Sequence, residues 1–181
     1  MPNIDDLLKA MGRFGLSAEE RQKKADYLMH LTQVNELAKA FNASVKKLKE
    51  QPDSYSALEA ELIQPFEEYF NGEIVKSFIS KYPKDAVMVQ YNAVPGYISE
   101  LKRDLKTFVN AKKEEKEGRK SLVTTLNIQR VLKMMPSYFN LITEKVQTIL
   151  SFLSSEVEPL KSDPAFYKQL YVIAFGVYQG K

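Results

Sequence analysis

The sequence predicts an all-α fold, an elongated bundle of long, proline-kinked amphipathic helices, and three observations carry that prediction. Apolar residues recur at alternating spacings of three and four over long stretches of the chain, the signature of helices that keep one face toward a partner. Helix starts and stops punctuate those stretches. The one short run that alternates like a strand has no convincing second strand to satisfy its edges.

Taken in order, Ile4, Leu7, Leu8 and Met11 fall at i, i+3, i+4 and i+7, which predicts a short amphipathic helix over 3–14, ended by Gly12 and Gly15. Residues 1–16 are thus read as an amphipathic N-terminal segment and 17–181 as a single helical-bundle domain. "SAEE" then supplies a capping box from Ser17 to Glu20. The helix it starts should run to about residue 50, because Tyr27, Leu31, Val34, Ala38, Phe41, Val45 and Leu48 form an unbroken heptad seam. At 1.5 Å per residue that is a rod on the order of 50 Å long.

"QPDS" at 51–54 breaks the helix, and Asp53 or Ser56 caps the next, along which Tyr55, Leu58, Leu62 and Tyr69 continue the spacing with Pro65 in the same row. Asn71-Gly72 stops it. Ile74, Val75, Phe78, Ile79 and Tyr82 predict a further short helix closed by Pro83. In "DAVMVQYNAVPGY" the residues Val87, Val89 and Tyr91 alternate like a strand, whereas Val87, Tyr91, Val94, Ile98, Leu101, Leu105 and Phe108 keep helical register. The longer pattern favours a helix over 85–117 with a break near Pro95-Gly96, ending with Gly118 as the residue just past its end.

The next helix should span 119–155, with Ile128, Leu132, Met135, Phe139, Ile142, Val146, Ile149 and Leu153 on its core row. Pro136 lies inside it, and a register that survives a proline argues for one kinked helix rather than two. "EPLKSDP" reads as a loop whose Asp163 caps a last helix beginning at Pro164 and running to about 178.

Composition excludes several function classes. There is no cysteine, so disulfides, thiolate metal sites and cysteine nucleophiles are ruled out. The start carries Asp5 and Asp6 where a secretion signal carries positive charge, and no stretch approaches the roughly 18 apolar residues of a spanning helix, so the chain reads as cytoplasmic. The net charge of +3 implies no particular anionic partner. Its distribution is uneven, with 3 basic against 8 acidic residues in 51–100 and 10 against 4 in 101–135. Such segments attract each other as packed helices or present a docking surface.

Chemistry-bearing motifs are scarce. The one histidine, His30, has Asp26 a turn away but no second histidine or Glu-x-x-His pair to build a metal site, and reads as an ordinary helix residue. The acidic pairs Asp5-Asp6, Glu19-Glu20, Glu67-Glu68 and Glu114-Glu115 are adjacent in sequence and point about 100° apart on a helix, so neither member shares a site with the other. No phosphate-binding loop or nucleophile elbow is present. Lys102, Arg103, Lys106, Lys112, Lys113, Lys116, Arg119, Lys120, Arg130 and Lys133 form a basic region, but Asp104, Glu114, Glu115 and Glu117 dilute it and no aromatics accompany it for base stacking. Nucleic acid is therefore not the expected partner, and no cofactor is expected.

What remains is a non-enzymatic helical module that binds another protein or a second copy of itself. The expected interface is the apolar C-terminal helix, where Phe166, Leu170, Ile173 and Val177 form one row and Tyr167, Tyr171, Ala174 and Tyr178 another; the tyrosine hydroxyls mark a boundary where polar tips find partners. The alternative is a bundle that lies on a membrane surface or holds an apolar ligand. Ile4, Leu7, Leu8 and Met11 would supply the membrane or partner helix, and Pro65, Pro95 and Pro136 would open a cavity between kinked helices.

Overall fold

A computed structural model of the chain describes residues 16–50, 57 and 59–175. Among them there is no strand, and the all-α prediction holds. Six α-helices are described: α1 Ala18–Glu50, α2 Gln64–Phe70, α3 Glu73–Lys81, α4 Val87–Lys116, α5 Leu122–Val157 and α6 Pro164–Phe175. A π-helical turn, Glu59–Ile63, runs into α2, and a 3₁₀ turn, Glu158–Ser162, stands where a loop is expected before α6. The predicted helix over 3–14, the caps Asp53 and Ser56, and the end of the last helix lie outside the described residues.

The helix ends are set by local chemistry legible in the sequence. At the start of α1 the Glu20 amide donates to Ser17 Oγ at 3.1 Å, and the Ser17 hydroxyl donates to the Glu20 carboxylate at 3.2 Å. Asp163 caps α6, accepting from the Phe166 amide at 3.2 Å, with Pro164 at the first helical position where its missing N–H costs nothing. Between α4 and α5 the chain makes a Schellman turn. Gly118 takes a φ of 75°, its amide donates to the Glu115 carbonyl, and the Arg119 amide reaches back to Glu114 at 2.8 Å. Ser121 then caps α5 through the Thr124 amide, and this is why the helix starts at Leu122 rather than at 119.

Two further boundaries depart from the sequence reading. Helix α4 passes through Pro95-Gly96 without a break. Proline removes one backbone hydrogen bond, and the burial of Val94 and Ile98 on either side of it holds the helix together. The chain leading into α2 is π-helical rather than α-helical; Pro65 has no N–H to offer the Glu61 carbonyl, and a wider turn lies immediately before it.

The described residues belong to two compact units, 1–35 with 150–181, and 36–149. In the first, α1 contributes buried Ala25, Tyr27, Leu28, His30 and Val34, and the core is completed by Leu153, Val157, Leu160, Phe166 and Leu170. Lys24 and Glu156 form an ion pair across it.

In the second unit every residue of the row predicted for α4, from Val87 to Phe108, is buried. An aromatic chain runs through this core. Phe139 meets Phe41 at 6.0 Å between ring centroids, Phe41 meets Phe66 at 5.5 Å, Phe66 meets Phe70 at 5.8 Å, and Phe70 and Phe78 each meet Tyr91 at 5.6 Å. Such pairs contribute beyond the area they bury, by about 0.5–1.5 kcal/mol each. The acidic and basic segments do attract, through Lys102 and Glu67 at 3.0 Å.

Candidate binding surfaces

The predicted interface helix divides between core and surface. Phe166 and Leu170 are buried within their unit, and Ile173 is exposed beside Val172. Tyr167, Tyr171 and Phe175 form a half-buried ladder with ring centroids 5.4 Å apart at each step. Burial first, then Tyr171, pushes the Tyr167 phenol up to about 12. Val177 and Tyr178 lie outside the described residues, as do Ile4, Leu7, Leu8 and Met11.

His30 is 1% exposed, and burial lowers its pKa to about 4, with Asp26 opposing the shift. It is a neutral core residue. Among the described residues no group of three or more His, Cys, Asp or Glu side chains comes together as a metal site. Among the adjacent carboxylates, Glu67 pairs with Lys102, Glu68 accepts from Gln64, Glu20 from Ser17, and Glu114 from the Thr124 hydroxyl.

A buried carboxylate sits where α4 meets α5. Asp104 is 1% exposed, with Oδ1 at 3.8 Å from Arg103 and 3.9 Å from Arg130, and no hydrogen-bond partner for Oδ2. Tyr138 on α5 has its phenol pushed up by burial and then by hydrogen bonding to Asp104. Both guanidinium groups are more than half or half exposed, so this carboxylate is weakly compensated for its depth.

The outer face of α5 is a surface the sequence reading missed. The inward row is Thr124, Ile128, Val131, Met135, Tyr138, Phe139, Ile142, Val146, Ile149 and Leu153. Val131 is fully buried in the place expected of Leu132, which is half exposed instead. Facing away from it, Leu122 is 75% exposed and Leu126 54%, with Val123 at 66% and the less exposed Met134 and Leu141 on the adjacent flank. Arg130, Lys133, Ser137 and Glu144 lie among them, all exposed. Residues 118–143 contain no Asp or Glu, so the first half of this face is purely basic. The signal was available: these apolar residues fall about 100° or more away from the heptad row.

The flank of α5 that carries Leu132 and Pro136 borders a groove in the second unit, with the C-terminal part of α1 as its other wall. Phe41, Phe108, Met135 and Phe139 floor it, and Asn42, Lys46 and Asn140 stand at its exposed rim.

Among the described residues no helix is long and apolar enough to cross a membrane. Comparison with protein-family models, curated proteins and solved structures returns no match.

Proposed function

We propose that the chain is a non-enzymatic, self-associating helical interaction module, a component of an assembly, whose contact surface is the outer face of α5. The observation that carries this reading is the row of exposed large apolar residues on a helix whose opposite side is already fully used in the core. Patches of this kind on a water-exposed face mark interaction sites.

The distribution of charge along the row favours a second copy in antiparallel register as its partner. With the two helices centred on Ser137, Arg130 of one copy faces Glu144 of the other, twice by symmetry. A parallel arrangement would instead place the basic halves against each other, which costs energy. A membrane would accept the same apolar row, but Glu144 on that face opposes binding to an anionic bilayer. A closed two-fold pairing suits a self-complementary patch.

Light scattering across a concentration series tests the reading. The mass should correspond to two chains, and Leu126→Asp or Glu144→Lys should each return one chain while leaving the helical signal and melting temperature of the fold in place. A single chain at every concentration overturns it.

A further inference from the structure

The groove beside Pro136 encloses about 490 Å³, within the span of roughly 300–1,000 Å³ typical of small-molecule sites. Its lining is mostly aromatic, thioether and aliphatic, with Asn42, Lys46 and Asn140 at the exposed rim and a half-buried Thr143 beside them. Pro136 has no N–H, so the Leu132 carbonyl one turn earlier loses its helical donor at the groove's edge. Lys46, at the exposed rim, carries the only charge among the described lining residues.

We infer that this groove binds a free single-chain amphiphile with a carboxylate head. The alkyl body lies over Phe41, Met135 and Phe139, and the carboxylate is held at the rim by the Lys46 ammonium and the side-chain amides of Asn42 and Asn140. An apolar body matches the lining, and an anionic head matches a rim that offers a cation and amide donors. A cationic head would meet Lys46 with like charge. The apolar lining of the groove lies on a different flank of α5 from the outer apolar row.

Titration calorimetry on the full chain, with probes kept below their micelle concentrations, separates the outcomes. Decanoate should bind one to one, and each methylene added from octanoate to dodecanoate should tighten binding by about fourfold. Decanol and decyltrimethylammonium should bind at least tenfold more weakly than decanoate. Lys46→Met should reduce decanoate to the affinity of decanol, and Val45→Trp, which fills the groove from a half-buried position, should abolish binding with the helical signal retained. No saturable binding by any of the three carboxylates overturns the proposal. So does equal affinity for decanoate and decyltrimethylammonium, or undiminished binding by a folded Val45→Trp chain.

Discussion

The hydroxyl oxygens of Tyr69 and Tyr91 lie 2.7 Å apart, joining α2 to α4 within the aromatic core of the unit 36–149. Burial holds both phenols protonated far above the usual tyrosine range; each neighbour adds to the effect at Tyr69 and partly offsets it at Tyr91. Removing one hydroxyl takes away a buried partner from the other. Tyr91→Phe should therefore cost about 1–2 kcal/mol, and Tyr69→Phe combined with Tyr91→Phe should cost less than the sum of the single changes. Because the folded state keeps these protons while the unfolded chain gives them up near pH 10, stability should fall as pH rises above 10. Urea unfolding of the three variants at pH 7 and pH 10.5 measures both effects.

His30 sets the opposite limit. The unfolded chain takes up its proton near pH 6.5, whereas the buried imidazole resists until about pH 4. Below pH 6.5 the unfolded state binds more protons, so stability declines as pH falls and this contribution is lost by about pH 4. The loss is on the order of 3 kcal/mol. His30→Gln should flatten the decline between pH 6.5 and 4, read from urea midpoints across that range.

Two glycines predict opposite outcomes for the same substitution. A Cβ at Gly72 would lie 2.5 Å from the Glu68 carbonyl oxygen at the corner between α2 and α3, whereas a Cβ at Gly96 meets nothing within 4 Å. Gly72→Ala should destabilise by about 1–3 kcal/mol. Gly96→Ala, in the interior of α4, should stabilise by about 0.5–1 kcal/mol. Thermal melts of the two chains decide it.

Asp104 is a buried carboxylate whose partners are the Tyr138 hydroxyl and two distant guanidinium groups, with Oδ2 left without a hydrogen bond. Asp104→Asn keeps its size and an oxygen for the Tyr138 hydroxyl while removing the charge, so it should raise stability by about 1 kcal/mol. It should also bring the Tyr138 phenol part of the way back toward its ordinary pKa, since burial, the larger cause, remains. A destabilisation above about 2 kcal/mol, with the Tyr138 titration unmoved, contradicts this account.

Much of the fold is legible in the sequence because its signals are local. The seam of α1, the row of α4, the Ser17 and Asp163 caps and the Gly118 turn all rest on residue spacing or on the conformational demands of a few adjacent residues. The choice between Val131 and Leu132 does not. Both are apolar, they point about 100° apart, and only the position of the neighbouring helices decides which is buried. Pro95 misleads for a related reason, since burial on both sides outweighs one missing hydrogen bond. The binding surfaces are the least legible part. Leu122, Val123 and Leu126 gain meaning only once the opposite face of α5 is known to be fully occupied, and the C-terminal helix proves to spend Phe166 and Leu170 in its own core.

The absence of cysteine from the chain allows a direct test of the antiparallel α5 contact. Helices packed about 8–10 Å apart bring facing Cα atoms at the centre of a two-fold contact within reach of a disulfide. In oxidising buffer a Ser137→Cys chain should cross-link to itself as a dimer. A Leu122→Cys chain should not, because the antiparallel register sends its two copies to opposite ends of the contact. A Ser137→Cys chain that stays monomeric, or that cross-links no faster than the Leu122→Cys chain alone, contradicts the account.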